Sequence, residues 1–234
     1  MQARSKPPIL PPIAPEGSLP VKLYTYFRSS AAYRVRIVLA LKGLAYDPAY
    51  VHLVRHGGEH RTPEYRAVNP QAIVPALEDG DAVLTQSIAI CEYLEETHPE
   101  PALLPADPVG RAHVRAIMSA IACEIHPVNN LRVLNHLTGT LGLTEVQKMD
   151  WYRHWIAEGF AGLEGLLARV AGSGRFAFGD RPTLADAFIV PQVYNARRFE
   201  CPLEAFPTVT RIADACDALD AFRAAHPEAQ GDAG

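Results

Sequence analysis

The sequence predicts two units of different class, an α/β unit over residues 21–104 and an all-helical unit over residues 105–234. Three observations carry that reading. Short runs rich in aromatic and β-branched residues occur only in the first part. Helical patterning takes over completely after Val109. Between the two, HPEPALLPADP (residues 98–108) holds four prolines and marks the boundary. A chain of 234 residues with 48% apolar content has room for one large domain or two small ones.

Residues 1–20 contain six prolines and no continuous apolar core, which excludes a signal peptide and reads as a disordered leader. Lys22 to Phe27 alternates and reads as a strand. The pair Ser29-Ser30 then caps an apolar series, Val35, Ile37, Val38 and Leu41, which stops at Gly43. Tyr33, Arg34 and Arg36 interrupt that series and predict a helix with one wet face. Such a strand–turn–helix sets free N–H groups and a positive dipole end beside two hydroxyls and Arg28, a place to hold an anion. A capped helix with a surface arginine is the plainer alternative.

Tyr46 to Val54 reads as a second strand, followed by the polar loop RHGGEHRTPEY, a linker with a short helix, and a turn at Asn69-Pro70. Pro75 sits at the start of a third strand, which suits an irregular or cis junction that leaves backbone groups open to a ligand. Ala82 to Leu84 is a fourth strand after a tight turn. Thr85-Gln86-Ser87 opens a helix to Thr97 with Ile88, Ile90, Cys91 and Leu94 inward. This β-α-β, β-β-α order is that of a thioredoxin-like domain, and its helix starts at Ser29-Ser30 and Gln86-Ser87 are placed to face one ligand.

In the second unit Arg111 to Ile125 is helical, and Pro127 kinks or restarts the chain around His126, Asn129, Asn130 and Arg132. His126 is placed there to cap, to pack, or to titrate near neutrality. Thr144 to Val170 is a long helix with Trp151, Trp155, Phe160, Leu163 and Leu167 apolar. A glycine loop (Gly172, Gly174, Gly179) leads to Thr183 and Asp186, which have capping-box spacing. The helix they open, to about Ala196, is almost continuously apolar and so central in its bundle. Pro207-Thr208 opens a last helix through Ile212, Ala215, Leu219 and Phe222, and the tail from Pro227 is expected to fray.

A formal charge of -4 gives no footprint for nucleic acid, and no stretch approaches a membrane span. The four cysteines lack CxxC spacing; Cys91, Cys123 and Cys216 read as buried thiols on helices, in keeping with a reducing, cytoplasmic setting. No metal motif appears among the nine histidines.

The segments YFRSSAAYRVRIVLALKGL, NPQAIVPAL, LTQSIAICEYLEETHPEPALLP, IHPVNNLRVL and FGDRPTLADAFIVPQVYNARRF resemble the zeta class of the glutathione transferase superfamily, from about Val21 to Pro227. The resemblance implies the glutathione transferase fold, glutathione as cofactor and a homodimer. By position, Ser29 and Ser30 match the active-site serines, with Ser30 facing the thiol, and Ala31 comes next where many zeta enzymes carry cysteine. Pro75 matches a cis-proline that presents the backbone of Val74 to the cysteinyl part of glutathione. Gln86 and Ser87 match the γ-glutamyl end, and His60 the glycyl carboxylate. Glu124 and His126, then Asn130 and Arg132, match residues lining the site. Arg28 and Arg198 match arginines directed at substrate.

The implied reaction is glutathione-dependent cis–trans isomerisation of a small dianionic diketo acid, maleylacetoacetate, in tyrosine and phenylalanine breakdown. A lowered thiol pKa at the helix start and arginines for two carboxylates are the chemistry this reaction asks for. Maleylpyruvate isomerisation and general glutathione transfer share the same motifs.

Overall fold

The computed structural model describes residues 21–170 and 174–233; the expected leader and Gly172 lie outside the described residues. Strand β1 (Val21–Thr25) is central in a four-stranded sheet of order β2-β1-β3-β4. It pairs in parallel with β2 (Tyr46–Tyr50) and antiparallel with β3 (Ala76–Asp79), which pairs antiparallel with β4 (Ala82–Thr85). The second strand ends at Tyr50 rather than Val54 because its register, Val21↔Tyr46 to Thr25↔Tyr50, runs out with β1. Pro48 is tolerated because β2 is an edge strand. The Val74–Pro75 peptide is cis, and the third strand begins at Ala76.

Helix α1 (Ser30–Leu41) is capped by Ser29, whose Oγ accepts from Ala32 N at 3.2 Å, and Gly43 leaves it at φ 65°. The predicted wet face does not exist. Tyr33, Arg34 and Arg36 are 1–2% exposed, because α1 is packed by three other helices, α3 (Ser87–Thr97), α7 (Leu184–Arg198) and the short helix Asp220–Ala225. Arg36 is satisfied by oxygens alone: Nε donates to Ala225 O, Nη1 to Thr25 Oγ1 and Tyr26 O, and Nη2 to Phe27 O, at 3.0–3.3 Å. Burial pushes its pKa down to about 10, so it stays charged.

A short helix, α2 (Pro63–Val68), comes after the β2 loop. The proline-rich segment is fixed by a buried pair, Lys42 Nζ to Glu95 Oε2 at 2.7 Å. Glu95 accepts from Leu103 N and Leu104 N, and Lys42 donates to the carbonyls of His98 and Pro101. Helix α4 (Pro108–Ser119) runs into a π-helical turn, Ala120–Ile125, closed by His126 N to Ile121 O at 2.9 Å. A 3₁₀ turn at Pro127–Asn129 restarts the chain as α5 (Leu131–Gly139).

Helix α6 (Glu145–Arg169) buries Tyr152, Ile156, Phe160, Leu163 and Leu167; Trp151 and Trp155 flank this stripe half-buried. The Thr183–Asp186 capping box opens α7, whose residues from Leu184 to Val193 are all buried. The expected last helix is two, α8 (Pro207–Asp217) and α9 (Asp220–Ala225), separated at Ala218-Leu219. The tail is docked rather than frayed: Asp232 Oδ2 accepts from Phe27 N at 3.0 Å, and Gln230 bonds Ala224 O, His226 O and Tyr46. Cys91 and Cys216 are buried, but Cys123 is exposed, because the π turn rotates it out of the core. Among the described residues no helix is long and apolar enough to cross a membrane.

Replacing Arg36 by methionine would strand three acceptors in the interior, Ala225 O, Thr25 Oγ1 and Phe27 O, while Tyr26 O keeps its bond from Ser29 N. We expect a loss of about 3 kcal/mol or more in urea unfolding, each stranded acceptor costing on the order of 1 kcal/mol; a loss within error of zero would contradict this account of Arg36.

Candidate active site

A cleft of about 290 Å³ opens where the β1–α1 junction faces the helical part, walled by Arg28, Ser29, Ser30, His126, Asn130, Gln192, Asn195 and Arg198 among others. Two smaller cavities adjoin it through His126 and Asn130. One, of about 130 Å³, is lined by Ala31, Arg34, Val74, Pro75, Gln86, Ser87, Cys123 and Arg132. The other, of about 210 Å³, includes Ser29, His60, Arg61, Arg66, Gln71 and Val74. Together they form a bent site with both helix starts, at Ser29-Ser30 and Gln86-Ser87, on its walls.

The serine pair divides its work. Ser29 Oγ is committed to the α1 cap, whereas Ser30 Oγ, 5% exposed, accepts from Asn195 Nδ2 at 2.5 Å across the seam. Arg28 and Arg198 are exposed at the mouth, their guanidinium groups over Phe27 and Phe199 at 4.7 and 4.4 Å. Arg197, its neighbour on α7, turns away to Asp214 and Asp217. Arg132 lines the two smaller cavities rather than the main cleft. Glu124 is exposed and lines none of the three, because the π turn directs Ala122, Cys123 and His126 toward the cavities in its place.

Gln86 has φ 70°, an unfavourable conformation for a non-glycine residue, and its Nε2 donates to Gln71 Oε1 at 2.8 Å. Ser87 Oγ accepts from Arg34 Nη1 at 3.1 Å. Arg34 stacks over Phe188 and leaves Nε without a partner, an unspent donor in the wall of the 130 Å³ cavity. His60 presents a buried Nδ1 without a partner, close to Arg61 and Arg66. Burial and those two charges lower its pKa. Gly58, at φ 100°, must be glycine, since a Cβ would stand 2.4 Å from the His60 ring.

His126 does not titrate near neutrality. Both ring nitrogens face protein, Nδ1 toward Arg34 Nη2 and Nε2 toward Asn130 Nδ2, each at 3.2 Å. Burial first, then the charges of Arg34 and Arg132, lower its pKa to about 3.

Arg34, Asn129, Gln192 and Asn195 escape a reading of the sequence as site residues. For two of them a signal is present. Gln192 and Asn195 are three residues apart, on one face of a helix otherwise almost wholly apolar. Asn129, Gln192 and Asn195 all have buried amide atoms without partners and all line the main cleft.

The glutathione S-transferase N-terminal domain family matches residues 23–102, and the C-terminal domain family matches residues 149–229. Maleylacetoacetate isomerase of Pseudomonas aeruginosa is 51% identical over 91% of this chain and 98% of its own. A solved maleylpyruvate isomerase, a bacterial glutathione transferase of the zeta class, superposes with a TM-score of 0.88 at 48% identity, over 91% of this chain and all of that one. The chain belongs to the zeta class of glutathione transferases. Among its solved relatives is a maleylacetoacetate isomerase from Methylobacterium extorquens AM1 with bound malonate and glutathione. That structure has a TM-score of 0.86 and 41% identity, over 91% of this chain and 99% of that one.

For His126 the sign of the pH effect is set by its lowered pKa. The unfolded chain takes a proton near 6.5 while the folded chain resists to about 3. Stability is therefore fully present above pH 6.5 and is lost as pH falls toward 3. His126→Gln should flatten this acid-side loss in unfolding experiments by up to about 1.4 kcal/mol per pH unit. Equal slopes in the two proteins would contradict the buried neutral imidazole.

Proposed function

We propose that the protein catalyses glutathione-dependent cis–trans isomerisation of maleylacetoacetate to fumarylacetoacetate. The observation that carries the proposal is the cleft itself: a buried serine hydroxyl at a helix N-terminus, with Arg28 and Arg198 at the mouth.

The walls fit glutathione in charge as well as shape. Ser87 at the start of α3, with the unspent Arg34 donor behind it, suits the anionic γ-glutamyl end; His60, Arg61 and Arg66 suit the glycyl carboxylate. Bound there, glutathione supplies a thiolate that adds reversibly to the conjugated cis double bond, allowing rotation before it leaves. Ser30 and the positive end of α1 hold negative charge on sulfur and lower the thiol pKa. Ser29 fixes the turn through its cap and so places Ser30. Arg28 and Arg198 hold the two carboxylates of the diketo acid; Asn130, shared by all three cavities, stands between cofactor and substrate, and Arg132 lines the two cavities assigned to glutathione. His126, neutral and held by Arg34, orients rather than exchanges protons.

Support for this substrate is the 51% identical Pseudomonas relative; a maleylpyruvate isomerase of Ralstonia, 49% identical over 91% of this chain, makes the shorter diketo acid the second reading. The same family reading makes the protein a homodimer, acting in a reducing compartment where its thiols stay free.

The deciding assay compares maleylacetone, a stand-in for maleylacetoacetate, with maleylpyruvate, each with and without glutathione. We expect faster, glutathione-dependent turnover of maleylacetone without net loss of glutathione. Preference for maleylpyruvate would move the proposal to the second reading, and net consumption of glutathione would favour a conjugating transferase. Ser30→Ala should lower kcat by about a hundredfold, the usual scale for removing one donor to a reacting anion. Arg198→Ala should raise the substrate KM about tenfold or more while leaving glutathione affinity near that of the parent; equal loss of both would remove Arg198 from its assigned role.

A further inference from the structure

We propose that Asn195 is a positioning residue that forces the Ser30 hydroxyl to give its single proton to the glutathione sulfur; this rests on the function proposed above. Ser30 Oγ has one proton to donate and lone pairs to accept. In the folded chain its neighbour across the seam is the Asn195 side chain, with Nδ2 donating to Oγ. Once an anion stands in the cleft, the hydroxyl proton is drawn to it, and the asparagine must meet Oγ with an N–H. A carboxamide can do this; a carboxylate cannot. The donated bond also polarises the hydroxyl and makes it a stronger donor to sulfur.

Two further observations favour a functional role over simple packing. Asn195 Oδ1 is buried without a partner, so the group is not there to complete a network of its own. Asn195 also belongs to the helical part whereas Ser30 starts α1, so the bond forms only when the two are docked. Thiol activation is thereby coupled to closure of the seam that builds the substrate cleft. The other titratable groups facing this cleft are Tyr26 from β1's end, Arg28 from the turn after it, His126 beyond the π turn, Tyr152 from α6 and Arg198 from α7. Substitutions at Asn195 leave all of them unchanged, and the two arginines keep an introduced carboxylate ionised.

The test is an ultraviolet titration of the glutathione thiolate in the binary complex, without substrate, for the parent protein, Asn195→Ala and Asn195→Asp. Glutathione affinity and thermal unfolding are measured alongside. The parent should show a midpoint below that of free glutathione. Asn195→Asp accepts the Ser30 proton and adds a like charge, so its midpoint should rise by about one pH unit or more. Asn195→Ala should rise by less, and both should fall in kcat more than they rise in glutathione KM. A midpoint in Asn195→Asp equal to the parent's overturns the inference and leaves the proposed function standing. If that variant does not fold, an unshifted midpoint in Asn195→Ala overturns it, and a raised one supports it. Absence of any bound thiolate in the parent would instead overturn the proposed function, and the inference with it.

Discussion

The structure depends on two guanidinium groups buried on one helix turn, Arg34 and Arg36, with no carboxylate partner among the described residues. An arginine in such a place must find neutral oxygens or ring nitrogens, and those it finds come from segments far apart in sequence. Arg36 gathers the end of β1, the turn after it and the carbonyl of Ala225. Arg34 gathers Ser87 at the start of α3 and His126 beyond the π turn. One helix thus fixes the C-terminal tail on one side and both walls of the site on the other.

The site exists only at a seam. Ser29, Ser30, Gln86 and Ser87 come from the α/β part, whereas His126, Gln192, Asn195 and Arg198 come from the helical part. The buried apolar residues of the two parts form one continuous cluster, from Leu23 to Ala225, and α1 packs directly on α7. That shared core holds the seam closed without a disulfide among the described residues, and it lets polar groups meet at hydrogen-bond distance across it. Residues Tyr26, Phe27, Val51, Tyr65 and Val74 make a second small cluster under the loop that carries His60.

Local signals are legible where the determining chemistry is local. The Ser29 cap, the Gly43 stop, the Thr183–Asp186 capping box and the strand and helix order all depend on residues a few positions apart. The sequence misleads where the deciding neighbour is remote. Two arginines on α1 look solvated because the sequence does not reveal that α7 and α9 close over them. The tail looks frayed because Asp232, the acceptor for Phe27 N, lies 205 residues away from it. Cys123 and Glu124 fit a helical pattern that a single π turn shifts out of phase.

By itself, then, the sequence determined the two classes of secondary structure, their order, the helix caps and, through its motifs, the family and the serine pair. Only the tertiary structure decided that Arg197 is tied to Asp214 and Asp217, that His126 is held neutral, and that Ser30 is met by Asn195. The physical reason is the same in each case. Caps and periodicities are set by bonds within a turn or two of chain, whereas burial, pKa and the direction of a shared proton are set by whatever the folded chain brings alongside.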